Sequence, residues 1–405
     1  MAKPPTLAFL RTEAGAGALL AAAAALGLLL ANSRFAGDYA ALAGAPLVVR
    51  VGGFMQSLSL AEWVRQGFMA AFFLVVGLQV KFEAVKGEVS SPRRTLLPLI
   101  SAAGGLAASA LTCMAIDGAA SAASLWLTPA ATDAAIALFV FTLVGQGLPD
   151  SLRLFLLVVA VADDLAAVAI AGVSTSAHLH PHALLGALAV LAALVVLGAW
   201  RGAPRLFYAV GFVLVWALTL QGGLTTSLAG LACAMVTPIG ARRGGQQSVV
   251  KTFTDGLHPY VAFVILPLFA FTAAGVSLNP SAWRGGLAVP AVGVFVGLVI
   301  AKPAGVFLSA LAAATLRLGR KPLDATWGEM AGVALLCGVG LTMSLFVERI
   351  SPVAPRSSAV TLAILLGSAL SVLLGAAVLR LARRARLGLR RDERDLERYS
   401  ASRRA

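Results

Sequence analysis

Charged residues are scarce in this 405-residue chain: Asp, Glu, Lys and Arg together make up 12% of it, whereas apolar residues make up 59%. An ordinary soluble domain carries about 25% charged residues. The chain instead contains many uncharged runs of roughly 18 residues or more, which is the length of a membrane-spanning helix. The shortage of charge therefore argues against a soluble protein. A transmembrane β-barrel is also disfavoured, because barrel strands alternate apolar and polar residues in segments of about ten.

Cysteine is rare as well, and the three cysteines fall singly inside apolar runs with no metal-ligand spacing: Cys113, Cys233 and Cys337. We interpret them as small packing residues. The sequence also shows no pairing of a nucleophile with a base. We therefore expect that the protein is not an enzyme and uses no cofactor.

The apolar runs predict an all-α polytopic membrane protein with about 12 transmembrane helices. The loops between the runs are short, so residues 1–405 are predicted to form a single transmembrane domain. The predicted spans are residues 13–31, 58–80, 95–116, 121–144, 151–173, 182–199, 204–219, 222–239, 256–277, 287–313, 326–347 and 358–380.

The positive charges are unevenly distributed over this predicted topology. The net charge is +14, and most Lys and Arg residues fall on the side that carries both termini. Positively charged loops are retained in the cytoplasm, so both termini are expected there. The most basic segment, residues 383–405, is predicted to be a cytoplasmic tail near anionic lipid rather than an arm that binds nucleic acid.

The longest loop on the opposite, external side covers residues 32–57. It contains the sequence PLVVRVGG, a β-prone run that ends in a glycine pair, and this pattern predicts a hairpin. An exposed hairpin edge can pair with a second copy of the chain. A dimerising hairpin and a simple covering flap are both compatible with the sequence.

Two predicted spans are interrupted near their middle. The fourth contains TPAATD at 128–133, and the eleventh contains CGVGLTMS at 337–344. The breaks fall in corresponding places if spans 3–5 and 10–12 are repeats, and the repeats would then have inverted topology. Paired interruptions in two related halves indicate the binding site of a transporter.

Two adjacent acids, Asp163 and Asp164, are the only charges in the otherwise apolar core of the fifth span. Burying each ion at mid-bilayer costs about 3 kcal/mol on insertion scales. Asp133 and Lys302 lie at similar depth in the fourth and tenth spans. Lys302 is too far from the cytoplasmic end of its helix for the ammonium group to reach water. Lys302 therefore needs an acidic partner.

Neighbouring residues on a helix point about 100° apart, so one acid of the pair can meet Lys302 while the other faces an open position. A small cation and protons then compete for the same carboxylate oxygens, which is the chemistry of antiport. The sequence favours this exchange at Asp163 and Asp164. The alternatives are acids satisfied within the fold without transport, a passive cation channel, and a sensor that binds an ion without moving it.

Asp133 and Lys302 could also serve a second role, the neutralisation of helix ends. Broken helices leave half-helix ends that each carry about half a charge. Asp133 could neutralise two positive N-terminal ends, and Lys302 two negative C-terminal ends. Direct ligation of the cation by Asp133 is the alternative, and Thr132 beside it could offer a hydroxyl oxygen to a hard cation.

Several stretches of the chain together resemble one known family. They are TPAATDAAIAL, VADDLAAVAI, FMAAFFLVVGLQVKFE, HPYVAFVILPLFAFTAAGVSL, GLVIAKPAGV and LLCGVGLTMSLF. In this order they resemble the NhaA-type sodium/proton antiporters of bacterial inner membranes. The resemblance extends from about Phe9 to Leu381.

The resemblance implies specific roles for the buried residues. Asp163 and Asp164 would bind Na⁺ or Li⁺ and carry protons, and Lys302 would pair with Asp163. Thr132 and Asp133 would belong to the extended segment of the fourth helix. The resemblance also implies exchange of cytoplasmic Na⁺ for more than one external H⁺, driven by the proton gradient in sodium and pH homeostasis, and a homodimer formed through the hairpin.

The chain departs from the family pattern at positions that the resemblance assigns to the cytoplasmic funnel and the pH response. RQGFMA stands where the family often has NDGLMA, so Gln66 replaces an acid and Arg65 enters. Gln79 replaces a glutamate, Thr225 replaces a histidine, and Thr254 stands where an acid is expected. The motifs of the exchange site itself are intact.

Overall fold

The computed structural model describes residues 13–51, 54–86, 92–118, 125–174, 179–199, 204–239, 248–278, 288–350 and 357–402. Most of these residues are helical, and helix occupies part of every predicted span. The start of the fourth predicted span (121–124), the tip of the predicted hairpin (52–53) and the end of the tail (403–405) lie outside the described residues.

The elements of the described chain follow one another in two halves. The first half contains α1 (Glu13–Ala31), α2 (Ala36–Gly44), β1 (Pro46–Val51), β2 (Phe54–Ser59), α3 (Leu60–Trp63), α4 (Met69–Lys86), α5 (Pro92–Asp117), α6 (Ala134–Val144), α7 (Asp150–Ser174) and α8 (Pro181–Ala199). The second half contains α9 (Arg205–Gln221), α10 (Ser227–Val236), α11 (Val249–Tyr260), α12 (Leu266–Ala274), α13 (Ala288–Val296), α14 (Lys302–Thr315), α15 (Trp327–Leu336), α16 (Leu341–Ile350) and α17 (Ser358–Ser402).

Many of the described helices are suited to cross a membrane. By length and composition seven could do so, and nine could if each of two bent pairs counts as one span: α1 with α2, at 117°, and α15 with α16, at 43°. Three further apolar helical segments are shorter, namely Thr128–Val144, α9 and α10. The protein is therefore an all-α polytopic membrane protein, as predicted.

π turns join three pairs of the described helices end to end. Val64–Phe68 joins α3 to α4, Val261–Ile265 joins α11 to α12, and Gly297–Ala301 joins α13 to α14. Pro267 and Pro303 follow the second and third of these turns. A proline ring clashes with the carbonyl four residues earlier, and the wider turn accommodates the ring without ending the helix.

Two helices begin away from their predicted positions. α10 begins at Ser227 rather than at residue 222, because Gly223 adopts a positive φ of 77° in the turn that precedes it. α11 begins at Val249 rather than at residue 256, because the Ser248 side chain caps it by accepting a hydrogen bond from Lys251 N. The apolar runs alone did not indicate either boundary.

The last helix differs from the prediction at its end. α17 runs for 45 residues without a break, so the twelfth predicted span and most of the predicted tail form one helix. Proline is absent from this segment, and its Leu, Ala, Arg and Glu residues are strong helix formers. Arg386 anchors the basic part of α17 to the body of the protein through an ion pair with the buried Glu329, at 2.7 Å.

The predicted hairpin is present in the 32–57 loop, together with a helix that was not predicted. β1 and β2 pair antiparallel, with Val48 opposite Ser57. α2 precedes the hairpin at a sharp angle to α1. Ser59 and Glu62 form a capping box that leads β2 directly into α3.

The two predicted helix breaks are both present. In the fourth segment a 3₁₀ turn, Thr128–Ala130, is followed by extended backbone before α6 begins. In the eleventh, α15 and α16 are separated by four residues that include Gly340. A side chain at Gly340 would place its Cβ 3.1 Å from the Ala131 carbonyl oxygen, so this glycine permits close crossing of the two breaks. Asp133 N donates to the Val339 carbonyl at 2.6 Å and joins them directly.

The apolar core divides into two clusters. The larger surrounds the crossing breaks and includes the aromatic side chains of Phe73, Phe155, Phe269 and Phe346. The smaller lies among α4, α8, α9, α10 and α11. Ala130 and Ala131 of the first break and Cys337 and Val339 of the second belong to the larger cluster, so both breaks are buried in it.

Close packing of α14 against α5 depends on glycine. A Cβ at Gly305 would lie 2.5 Å from the Gly104 carbonyl oxygen and 2.6 Å from the Ala108 Cβ. Gly256 in α11 is a useful contrast, because a Cβ there would meet no atom within 4 Å. Small residues at a helix interface allow this close approach in membrane proteins.

We expect that Gly305→Ala lowers the free energy of unfolding by about 1–3 kcal/mol, as overpacking of a tight interface does. Gly256→Ala, the matched control, should leave stability unchanged or raise it slightly. Thermal unfolding of both variants in detergent, followed by tryptophan fluorescence, tests the expectation. Equal melting temperatures for Gly305→Ala and the unmodified protein would contradict it.

Candidate ion-binding site

The structure brings all five predicted site residues together in the buried interior. Thr132 and Asp133 come from the extended break before α6, Asp163 and Asp164 from α7, and Lys302 from the start of α14. Each is at most 4% exposed. Buried polar side chains at this density require partners.

Lys302 lies against Asp163, as the sequence predicted. Lys302 Nζ is 3.0 Å from Asp163 Oδ2, and both side chains are fully buried. Nζ also donates a hydrogen bond to the carbonyl oxygen of Ala130, at the C-terminal end of the 3₁₀ turn. The ammonium group therefore compensates both a carboxylate and a negative helix end.

Thr132 links Asp163 to the second break. Its Oγ1 lies 2.8 Å from Asp163 Oδ2 and 2.9 Å from the carbonyl oxygen of Cys337, which follows the end of α15. A hydroxyl has one proton, so it donates to one of these oxygens at a time. Lys302 was expected to neutralise two C-terminal helix ends, but it contacts only the one at Ala130. Thr132 contacts the other, at Cys337.

Asp133 lies between the N-terminal ends of two half-helices. Its Oδ1 accepts a hydrogen bond from Ile136 N in α6, at 3.2 Å. Its Oδ2 accepts from Thr342 N and Thr342 Oγ1 in α16, at 3.0 and 2.6 Å. Both carboxylate oxygens are engaged, which favours compensation of helix ends over direct ligation of a cation.

Asp163 and Asp164 each retain one oxygen that the fold does not use. Asp163 Oδ1 and Asp164 Oδ1 are buried and accept no hydrogen bond from the described residues. The charges of Lys302, Asp133 and Asp163 all act on Asp164. A buried carboxylate oxygen left unsatisfied is costly, so these two atoms are suited to a proton or a small cation, which prefers oxygen ligands.

Some partners of the site were not predicted. Thr342 lies in the predicted break of the eleventh span, but its pairing with Asp133 was not predicted. The burial of two further acids was also not predicted from the sequence. Glu329 pairs with Arg386, and Glu348 accepts from Thr361 Oγ1 at 3.0 Å beside Arg349. Both acids lie near the ends of predicted spans, where charges resemble ordinary loop residues.

Three of the residues that depart from the family pattern lie together in a recess that none of the five site residues lines. Arg65, Gln66 and Thr225 line one recess of about 290 Å³. The carbonyl oxygen of Gln66 accepts from Trp216 Nε1 and Thr226 Oγ1, at 2.7 and 2.6 Å. The π turn at Val64–Phe68 leaves this carbonyl available to partners outside its helix.

These features define a class of protein. Two interrupted helices cross inside a membrane-embedded bundle, and half-helix ends and ionisable side chains converge at the crossing. That is the architecture of a secondary transporter.

Comparison with known proteins agrees with this class. The family model described as Na+/H+ antiporter 1 matches residues 7–379. A Na(+)/H(+) antiporter NhaA of Rhodospirillum rubrum is 41% identical over 392 residues, covering 93% of this chain and 97% of the relative. The same-named protein of Pseudomonas putida strain GB-1 is 39% identical, covering 93% and 97%, and that of Mesorhizobium japonicum is 41% identical, covering 92% and 94%.

The chain belongs to the Na+/H+ antiporter 1 family. The relatives are named as antiporters, and antiporters are transporters rather than enzymes. The resemblance seen in the sequence motifs is thereby confirmed over nearly the whole chain.

We expect that Lys302→Met lowers the free energy of unfolding by about 3–5 kcal/mol, because it leaves Asp163 as an uncompensated buried charge. Adding Asp163→Asn should restore much of that loss, since the double variant buries neither charge. Thermal unfolding of the two single variants and the double variant measures this coupling. Lys251→Met, the same substitution at an exposed position, is the control, and strictly additive effects at 302 and 163 would exclude the ion pair.

Proposed function

We propose that the protein exchanges cytoplasmic Na⁺ or Li⁺ for external H⁺, driven by the proton gradient, and serves sodium and pH homeostasis. Membership of the antiporter family supports the reaction type. The observation that carries the proposal is the pair of buried oxygens, Asp163 Oδ1 and Asp164 Oδ1, that no described residue satisfies. Cation and proton are cargo, and the exchange involves no covalent step.

The geometry supports different roles for the two carboxylate oxygens of Asp163. Oδ2 contacts Lys302 and Thr132 and holds the break in place. Oδ1 is available to the cargo. A cation would bind to Asp163 Oδ1 and Asp164 Oδ1, with Thr132 Oγ1 close by. Protonation of the same two oxygens would remove the negative charge that retains the cation, and the cation would leave.

Asp133 and Lys302 act as supporting groups in this proposal. Asp133 holds the starts of α6 and α16 together, and Lys302 balances Asp163 and the Ala130 carbonyl. Half-helices held by such contacts can shift as units, which alternating access requires. Direct ligation of the cation by Asp133 is disfavoured, because both of its oxygens already accept hydrogen bonds.

We further propose twelve membrane crossings with inverted-topology repeats, both termini in the cytoplasm, and residence in the bacterial inner membrane. Helix within every predicted span supports the number of crossings. The crossing breaks of the fourth and eleventh segments support the repeat. The concentration of Lys and Arg on the side of the termini supports the orientation.

We propose that the hairpin of β1 and β2 forms a homodimer. Leu47, Val48, Val49 and Met55 expose between 39% and 57% of their surface. Exposed apolar side chains on a two-stranded ribbon with unpaired edges favour pairing with a second copy. A flap over the bundle, the alternative, would leave the chain monomeric.

For the dimer we expect that Val48→Asp shifts the protein towards monomer in detergent, because it replaces an exposed apolar side chain of β1 with a charge. Light scattering coupled to gel filtration measures the mass. Val48→Thr, which keeps the β-branched shape, should remain dimeric. An unmodified protein that is monomeric at all concentrations would support the flap.

For the exchange we expect that Asp164→Asn reduces cation-dependent proton movement to the level of empty liposomes while the protein still folds. The measurement follows internal pH with a dye in proteoliposomes as Na⁺, Li⁺ or K⁺ is added between about pH 6 and 9. Asp150→Asn is the matched control, because Asp150 is an exposed acid on the same helix.

The outcomes separate the candidate functions. Proton movement that depends on the cation and disappears in Asp164→Asn supports exchange. Dissipation of a Na⁺ gradient without proton movement would indicate a passive channel. Binding of a cation without movement of either ion would indicate a sensor, and unchanged exchange in Asp164→Asn would refute the assigned site.

A further inference from the structure

Residues 380–391 of α17 contain six arginines and no acid, and we call this segment the arginine band. The preceding part of the helix, residues 358–379, carries no charge. At 1.5 Å per residue this uncharged part is about 33 Å long, which matches the roughly 30 Å thickness of the hydrocarbon core of a bilayer. The first residues of the arginine band therefore lie at the level of the lipid headgroups.

The arginine band lies at the end of the bundle away from the 32–57 loop. Arg65 follows the hairpin of that loop and donates to the carbonyl oxygen of Arg349, at the C-terminal end of α16 and at 2.7 Å. Arg386 of the band instead pairs with Glu329 in the first turn of α15, at the opposite end of the same broken span. In the proposed orientation the end that carries the band is cytoplasmic.

One member of the arginine band fixes it to the bundle. Arg386 Nε lies 2.7 Å from Oε1 of Glu329, an acid with no exposed surface. Arg386 Nη2 also donates to the carbonyl oxygen of Asp324, in the connection between α14 and α15. Loss of Arg386 would leave Glu329 as an uncompensated buried charge. The charge of Arg386 is therefore used within the protein, and the band is held at a defined place.

One exposed face of α17 combines apolar and basic side chains. It carries two leucines and then two arginines, spaced by seven, seven and four residues: Leu366, Leu373, Arg380 and Arg384. This spacing keeps residues on one side of a helix. The sequence places no acid within four residues of either arginine, and neither forms an ion pair with an acid among the described residues. The face thus has an apolar stripe at hydrocarbon depth that ends in two positive charges.

The connection between α14 and α15 adds similar groups at the same end of the bundle. Residues 316–326 carry three basic side chains and one acid, and Arg317 and Arg320 are exposed. Three leucines of this connection expose more than half of their surface: Leu316, Leu318 and Leu323. Exposed leucines beside exposed basic residues are typical of segments at the boundary between hydrocarbon and headgroups. The connection therefore supports the depth assigned to the arginine band.

We propose that this face of α17 binds an anionic phospholipid, with the acyl chains along the two leucines and the phosphate at Arg380 and Arg384. The guanidinium fork of arginine matches a phosphate with two parallel N–H donors. Arg383 Nε, which is buried and has no hydrogen-bond partner among the described residues, offers a further donor. The inference goes beyond the proposed exchange and does not depend on it, and the proposed orientation places the lipid in the cytoplasmic leaflet.

The arrangement favours a lipid over other ligands that carry phosphate. Leu373 precedes Arg380 by about two turns, or about 10 Å along the axis towards the membrane centre. Acyl chains are present at that depth, whereas a free phosphate or a nucleic acid would contact the arginines alone. A lipid therefore gains affinity from both parts of the face.

The test measures the thermal unfolding of the full chain in a neutral detergent as lipid is added. Palmitoyl-oleoyl phosphatidylglycerol should raise the melting temperature until the site is filled, because a ligand that binds only the folded state stabilises it. Phosphatidylcholine with the same acyl chains has no net charge and should leave the melting temperature unchanged. This comparison needs no variant.

Substitutions locate the site. Arg380→Gln together with Arg384→Gln should raise the mole fraction of phosphatidylglycerol at half the maximal shift by about 25-fold, because each basic residue near an anionic surface contributes about fivefold in affinity. Lysine at both positions keeps the charge and should retain most of the affinity. Arg34→Gln together with Arg50→Gln is the matched control, because it removes two exposed arginines near the other end of the bundle. It should behave as the unmodified protein does.

Each outcome bears on one statement. Equal shifts with phosphatidylglycerol and phosphatidylcholine overturn the proposal, and so does an unchanged half-maximal mole fraction in the glutamine variant. Inorganic phosphate or a DNA oligonucleotide that produces the same shift as the lipid overturns the assignment of a lipid. Absence of exchange in proteoliposomes bears on the proposed function alone, because Arg380 and Arg384 do not belong to the ion-binding site.

Discussion

Compensation of four half-helix ends is the interaction on which the rest of the structure depends. A break inside a buried helix leaves amide and carbonyl groups without partners, and such groups are costly where no water can reach them. Asp133 satisfies the two N-terminal ends, and Lys302 and Thr132 satisfy the two carbonyl ends. The bundle can therefore keep two extended segments in its interior, with Asp163 beside them.

The same arrangement explains why fold and function share residues here. Lys302 and Thr132 both contact Oδ2 of Asp163, so the atoms that stabilise the breaks also orient the carboxylate. The second oxygen accepts no hydrogen bond from the described residues. In the proposed exchange, loading and unloading change the charge at that oxygen while the contacts of its neighbour persist. An acid serving both roles accounts for the buried charge that the membrane would otherwise disfavour.

The sequence predicted those parts of the structure whose signal is local. Charge inside an apolar run identified Asp163, Asp164 and Lys302, and Pro and Gly at mid-span identified the two breaks. Other features leave no local signal in the sequence, for physical reasons. α2 is too short to stand out in a loop, and the partnership of Thr342 with Asp133 joins residues from distant segments. Buried Glu348 lies at the end of a span, where a charge carries no indication of burial.

The length of α16 and the contacts at its two ends have a mechanical consequence. Its ten residues make a rod about 15 Å long, with Thr342 bonded to Asp133 at one end and the Arg349 carbonyl bonded to Arg65 at the other. A short helix without an internal break moves as a rigid unit, so a displacement of its inner end also displaces its outer end. The rod thus ties the break in the interior to the end of the bundle that carries the 32–57 loop, and its two ends cannot be repositioned independently.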